Sequence, residues 1–473
     1  MIGRLPVRNA TLYRWAAVII PGVVLYYSPL PLLLPQQRQL LAVFAATIIA
    51  LIAQPVPMGV SVLLAMTVLA LTRTLAPAAV LAGFSNVVVW LIFTAFLFAR
   101  AVTATGFGMR VAYMFVRQFG RSPLTLGYSI AAAGVVLSPF VPSDTARGGG
   151  IIYPITRSLA QAFDSEPGPT ARRIGSFLIL AAFHANYTAS ALFLTSMASN
   201  PLIAEFAHKV GHVELTWATW AVASLVPGIL ALLVVPYLIF RLHRPEIEDT
   251  GAARRLASEH LREMGPMSGR ELRLAIILIG VMTGWVTSPW HGVPNTFVAL
   301  AGVCAILVLR VLTWDDLLLE SKAWDALIWF APLVMMADNL NESGVIKILS
   351  SSLFSYMHGW PPVLALFAMV AAYLYVHYAF ASMTAQVTAL YPAFLAAALA
   401  AGAPPLPAAL LLAFFSNLNA GLTHYGTGSA PVFFNAGYVG QGAWWRLGFV
   451  VSLVNVLIWF GVGSLWWRAV GLW

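Results

Sequence analysis

Apolar residues run in stretches at about 14–34, 38–53, 58–75, 86–105, 124–141, 174–197 and 214–240, and resume after a polar gap at 272–288, 293–312, 325–341, 361–380, 385–401, 405–420 and 446–470. A helix needs roughly 20 such residues to cross the hydrocarbon of a bilayer. The longest polar stretch, 241–273, has 33 residues, too few for a soluble catalytic domain. The pattern predicts an all-α polytopic membrane protein whose function sits within the membrane. Composition agrees: 60% of residues are hydrophobic and 9% charged, against roughly 25% charged in an ordinary soluble domain.

A net charge of +9, from 26 Lys+Arg against 17 Asp+Glu, is spread over loops, so no basic face tracks nucleic acid. In membrane proteins such charge reports orientation, because Lys and Arg concentrate in cytoplasmic loops. Arg4, Arg8 and Arg14, and the seven arginines from Arg241 to Arg273, place the N-terminus and the central loop inside. The start, MIGRLPVRNATLYRW, lacks the order of a cleavable signal, so the first span is read as retained. Cys304 is alone, which excludes dithiol chemistry and Cys-based metal clusters. No HExxH, Walker loop or Gly-x-Ser-x-Gly occurs, so neither a protease nor an ATP-driven pump finds its groups. The reading is a secondary transporter, not an enzyme, with no cofactor.

Transporters are commonly two repeats with the substrate site at their interface. Here Trp90 is followed 53 residues later by Ser143 in SDTARGGGIIYP, and Trp329 is followed 53 residues later by Ser382 in SMTAQVTALYP, an offset of 239 at both landmarks. Ser143, Thr145 and Ala146 correspond to Ser382, Thr384 and Ala385, with one residue gained or lost before Tyr153-Pro154 and Tyr391-Pro392. Ser199-Asn200-Pro201 resembles Ser429-Ala430-Pro431 more weakly. The halves are read as two repeats, with inversion the expectation although hydropathy does not separate full spans from re-entrant hairpins; the polar Ser-x-Thr favours a re-entrant helical hairpin in each, because non-helical backbone at membrane depth is tolerated only where protein or a water-filled cavity satisfies it.

A hairpin tip that begins a half-helix offers free N–H groups and the positive end of a helix dipole, which suits an anion. Ser143, Thr145, Ser382 and Thr384 add hydroxyls, so facing tips could each hold one carboxylate of a dicarboxylate; helix capping is the competing use. Arg147 either meets a substrate carboxylate through its fork of donors or pairs with Asp144 or snorkels. His377, His424 and His184 are candidate titratable charges, with structural hydrogen bonding as the alternative. Asp338 and Asn339 are read as ending the span opened by Trp329.

PSDTARGGGIIYPI, HYAFASMTAQVTALYPAFLA and GLTHYGTGSAPVFF followed by GYVGQGAWWRLGF resemble the divalent anion/sodium symporter (DASS) family, nearest its 2-oxoglutarate/malate translocator and citrate/succinate antiporter branch, from about Leu81 through Trp473. The resemblance implies a homodimer of elevator type with scaffold and transport parts, embedded in lipid of a bacterial-type inner membrane. It divides the chain into N-terminal scaffold spans (1–80), a first repeat (81–240, tip 143–145), a cytoplasmic basic loop (241–273), linking scaffold spans (274–317) and a second repeat (318–473, tip 382–384). Implied substrate-binding positions are Ser143, Asp144, Thr145, Arg147, Ser382, Met383, Thr384, Asn200, His424 and Thr427. Charge compensation or coupling falls to Arg147, Asp144, His377, His424 and His184. Asp144 and Met383 stand where the family commonly has Asn, which removes an amide carbonyl at each tip and leaves the metal question open. An ionised Asp144 repels a carboxylate at 4 Å by about 1 kcal/mol even in water; pairing with Arg147, proton uptake or a bound cation would offset it. The expectation is obligatory exchange of di- or tricarboxylates. The alternative is sodium- or proton-coupled symport on the same fold.

Overall fold

The computed structural model describes residues 7–30, 32–348 and 359–473, with side chains from Thr11 onward, and every regular element in them is helical. In hydrocarbon each backbone N–H and C=O must find a partner inside the protein, which a helix provides within one segment. Among the described residues, eight helices are long and apolar enough to cross a membrane, including Pro35–Ala53, Val87–Thr105 and Trp217–Leu242; Met58–Leu71 and Asn295–Val308 are shorter apolar ones. Helix Ser321–Glu342 packs against Met58–Leu71 and Val87–Thr105. It runs through Asp338 and Asn339, contrary to the sequence reading: Asp338 faces Lys209 at 2.5 Å and the Asn339 side chain donates back to the carbonyl of Met335 one turn earlier. A local turn propensity is overridden there by a long-range ion pair.

Four elements stop and restart inside the protein. Two are hairpins. In the first, Pro123–Leu137 ends in a short 3-10 turn, Ser138–Phe140, and the chain re-enters a helix at Asp144. In the second, Pro362–Tyr375 ends in the turn Val376–Ala379 and Met383–Ala400 leads away. The other two are broken helices, Gly175–Leu192 with Ser199–Gly211, and Pro405–Leu418 with Ala430–Phe434. The apolar run at 174–197 therefore contains a break that its composition does not announce.

The break is held by an account of its carbonyls. Helix ends leave C=O groups without intrahelical partners. Trp220 Nε1 donates to the carbonyl of Ala191 (2.8 Å), Ser224 Oγ to that of Leu192 (2.6 Å) and Asn200 Nδ2 to those of Ser190 and Phe193 (2.8 and 3.1 Å). Helix Trp217–Leu242 thus serves as a post against which the first broken helix is unwound.

The two hairpins enter from opposite ends of that post. The base of the first lies beside the central loop, where Thr250 Oγ1 donates to the carbonyl of Gly120 and Arg254 Nε to that of Arg117. The far end of Met383–Ala400 instead packs Leu395 and Leu399 against Gly211, next to the start of the post. The loop itself carries a helix, Gly251–Glu263, that buries Ala253 and Ala257 against Phe107–Phe119. Its exit is pinned by Arg110, whose Nε sits 2.6 Å from Glu271 Oε1 while its Nη1 donates to the carbonyl of Gly265.

The one-residue slip before Tyr-Pro has a structural cause. Gly148–Ile152 forms a π turn in the first hairpin, followed directly by Tyr153–Gln161, whereas Met383–Ala400 is α-helical throughout. A π turn closes its hydrogen bonds one residue later than an α turn. The extra residue is absorbed there, and the tip keeps its register.

Candidate functional site

The tips meet at a cavity of about 280 Å³ whose lining includes Ser143, Asp144 and Thr145 from one, Ser382, Met383 and Thr384 from the other, and Thr427, Gly428, Met197 and Ala198 from the breaks of the two broken helices. Leu51, Gln54, Met58, Phe96 and Trp329 line it from the surrounding helices. The volume lies just below the roughly 300 Å³ at which pockets for drug-sized ligands begin. No Lys, Arg or His is among these lining residues.

Both tips start their helices in the same way. Ser143 (φ −138°, ψ 116°) accepts from the N–H of Ala146 at 3.2 Å, and Ser382 (φ −148°, ψ 124°) accepts from the N–H of Ala385 at 3.3 Å. Capping and binding are therefore compatible uses, because a capping hydroxyl spends a lone pair and keeps its O–H to donate. The first-turn amides at 144–145 and 383–384 have no intrahelical acceptor, and each helix adds a partial positive charge at its N-terminus.

The second residue of each tip separates them. Asp144 is buried, and its Oδ2 accepts from Thr427 Oγ1 at 2.7 Å and Ser429 Oγ at 2.6 Å, so the first tip is clamped to the broken helix of the other half. Thr145 Oγ1 is 3.4 Å from Asp144 Oδ1. The clamp is tight enough to demand glycine: a Cβ on Gly428 would lie 2.4 Å from Thr145 Oγ1. Met383, 239 residues on from Asp144, is equally buried and brings no charge.

Arg147 does not line the cavity and makes no ion pair with Asp144. It is wholly buried behind the first tip with all five N–H donors spent: Nε on Asn186 Oδ1 (3.0 Å), Nη1 on the carbonyls of Val141 and Ser196 (2.9 and 3.1 Å), Nη2 on the Asn186 carbonyl and Ser190 Oγ (2.9 and 2.6 Å). It ties the tip to the break of the first broken helix and has no donor left for a ligand. Its repeat counterpart is Gln386, whose Nε2 donates to the Tyr373 carbonyl (2.6 Å) and whose Oε1 accepts from Asn419 Nδ2 (2.7 Å) and faces His377 Nδ1. The other ring nitrogen of His377 reaches the carbonyl of Gly426 at 2.7 Å, so His377 lies buried behind the second tip.

The remaining sequence candidates lie outside the cavity. Asn200 joins the two broken helices, its Oδ1 accepting from Asn417 Nδ2 at 2.8 Å. His424 accepts from Trp445 Nε1 at 3.0 Å and rests beside Phe434. His184 is buried with its Nδ1 2.5 Å from the Tyr187 hydroxyl. Sequence reasoning passed over Asn186, Ser190, Gln386 and the cavity residue Gln54; Gln386 was reachable, since the offset of 239 maps Arg147 onto it.

Comparison with known proteins shows the family to which this fold belongs. The family model described as "Sodium:sulfate symporter transmembrane region" matches residues 8–473. The chain belongs to the DASS family of membrane transporters. Among its relatives, the putative malate transporter YflS of Bacillus subtilis is 46% identical over 96% of this chain and 95% of its own. Dicarboxylate transporter 1, chloroplastic, of Arabidopsis thaliana is 43% identical over 99% and 85%, and the L-tartrate/succinate antiporter of Escherichia coli 32% over 96% and 97%. The crystal structure of the Alcanivorax borkumensis YdaH transporter shares the fold, with a TM-score of 0.57 at 17% identity over 85% of this chain and 89% of that one. As a DASS member the chain is a multi-pass transporter and not an enzyme.

Proposed function

We propose that this DASS protein is an obligatory exchanger of dicarboxylates in a bacterial-type inner membrane, with its N-terminus and central loop in the cytoplasm. The observation that carries the reading is the pair of serine-capped helix starts facing one cavity, each with a buried cationic or cationisable side chain behind it: Arg147 behind the first tip, His377 behind the second. A carboxylate at each tip takes two amides and two hydroxyls. The related malate, dicarboxylate and tartrate/succinate transporters support the substrate class.

Charge decides between exchange and symport. Moving a dianion to membrane depth costs several kcal/mol per charge unless positive charge meets it. In this reading the positive charge belongs to the protein. Gln386 turns its Nε2 to the Tyr373 carbonyl, so its Oε1 faces His377; with the Gly426 carbonyl on the other ring nitrogen, both nitrogens face oxygen acceptors, a pattern met in full by the doubly protonated ring. Fixed cations leave an empty site charged and reluctant to cross, so crossings occur loaded in both directions and need no sodium. The hairpins and broken helices would move as one transport part against the flanking scaffold helices, in a homodimer, as an elevator.

Asp144 supports a second reading. A buried carboxylate with two hydroxyls on it can take a proton or a cation, which would make the protein a symporter. Labelled succinate entry into proteoliposomes, loaded with succinate or empty, with and without sodium, separates the two. Exchange predicts entry only into loaded vesicles and no response to sodium; sodium-driven accumulation in empty vesicles overturns it.

A further inference from the structure

Helix Ser199–Gly211, the second arm of the first broken helix, carries Glu205 and Lys209 one turn apart, with Lys209 Nζ 2.8 Å from Glu205 Oε1. The same Nζ lies 2.5 Å from Asp338 Oδ1, on helix Ser321–Glu342. The side chains of Lys209, Glu205 and Asp338 are 26, 17 and 20% exposed, so all three charges are largely withdrawn from water. Two neutral contacts run alongside. Asn86 Nδ2 donates to Glu205 Oε1 at 3.1 Å, and Asn341 Nδ2 donates to the Lys209 carbonyl at 3.3 Å. Asn86 caps helix Val87–Thr105, and that helix packs against Ser321–Glu342. Each of these contacts except the one between Glu205 and Lys209 therefore crosses from a broken helix to the flanking pair of helices.

Resting on the elevator reading, we propose that Lys209 is a latch: its bond to Asp338 holds the transport part in the position described here and parts each time substrate crosses. The distribution of charge fits a contact made to open. Lys209 and Glu205 share one helix in the i, i+4 relation, so a sliding broken helix carries both, and the cation never loses its carboxylate. Asp338 is the group left behind, and the boundary that opens beside it admits water. Partly exposed pairs are weak, which suits a contact broken at every turnover: it biases one position without forbidding the other.

Two readouts with succinate in right-side-out membrane vesicles test this. The first is the pair of KM values, outer and inner, in Asp338→Asn, which leaves Lys209 paired with Glu205. In an exchanger the ratio of these values follows the balance of the loaded protein between its two positions. Loss of the latch should move them in opposite senses and change their ratio about threefold, whereas damage to packing lowers the rate and leaves the ratio alone. The second readout uses Lys209→Cys with Asp338→Cys in Cys304→Ser protein, bridged by a short reducible bis-thiosulfonate and the bridge verified by mass. Bridging should stop exchange and reduction should restore it. Exchange at the unbridged rate through a verified bridge overturns the latch and the elevator reading together, since helices that never part need none. A bridge that stops exchange beside an unchanged KM ratio overturns the latch alone.

Discussion

The two tips share one backbone and divide the charge differently. Serine caps at 143 and 382 have dihedral angles within 10° of each other and the same acceptor role, and a threonine follows two residues later in each. Yet the first tip combines a buried carboxylate at its second position with an arginine at its fifth, while the second combines Met383 with Gln386, which faces His377 on the other arm of its hairpin. The feature common to both tips is the capped helix start. The side chains behind it differ: Arg147 bonded to a broken helix in the first half, Gln386 and His377 bonded to each other in the second.

Making the halves alike is the way to break this comparison. The largest effect is expected from Arg147→Gln, which imitates the second half. It leaves the carbonyls of Val141 and Ser196 and the side chains of Asn186 and Ser190 short of donors, and each buried acceptor left without a donor costs about 1–3 kcal/mol. Thermal denaturation in detergent should show the loss, with counterflow abolished. Arg147→Lys, which keeps the charge but not the five-donor fork, should recover little.

Next is His377→Gln, which removes the second cation while keeping a donor for the Gly426 carbonyl. On the proposed reading KM for the dianion should rise by about tenfold or more, because a unit charge near an anion contributes a few kcal/mol at an effective dielectric of about 20. KM for counterflow reads it directly, and an unchanged value would remove His377 from the charge account. Ser143→Ala and Ser382→Ala should each cost about 1 kcal/mol of stability through the lost cap and raise KM to a similar degree; a large inequality would show that the half-sites are not equivalent. The smallest effect is expected from Asp144→Asn, which keeps an acceptor for Thr427 and Ser429 and removes a repulsive charge. Affinity should rise by a few fold. If transport collapses instead, Asp144 is carrying a coupling ion.

Much of this arrangement was legible in the chain. The apolar runs located the spans, and the repeat offset located both tips, because each tip is a local signal: a serine cap with polar neighbours inside an apolar stretch. What was not legible depends on partners distant in sequence. Arg147 stands four residues from Ser143 and reads as a ligand, but a broken helix some 40–50 residues further on supplies the acceptors that turn it away. The break at 193–198 is hidden by its own apolar residues and exists because Trp220, Ser224 and Asn200 take up its carbonyls. Gln54 gave no signal at all, since its position rests on a left-handed backbone that only the fold imposes.

The central claim is that fixed protein charge, not a co-transported ion, offsets the charge of the substrate. Its most direct test is the voltage dependence of succinate counterflow in sodium-free proteoliposomes at constant pH, with the membrane potential clamped by potassium and valinomycin. Exchange of dianion for dianion moves no net charge, so the account predicts the same net result at every potential and no accumulation in empty vesicles. Accumulation in empty vesicles driven by the potential, in either direction, would contradict it.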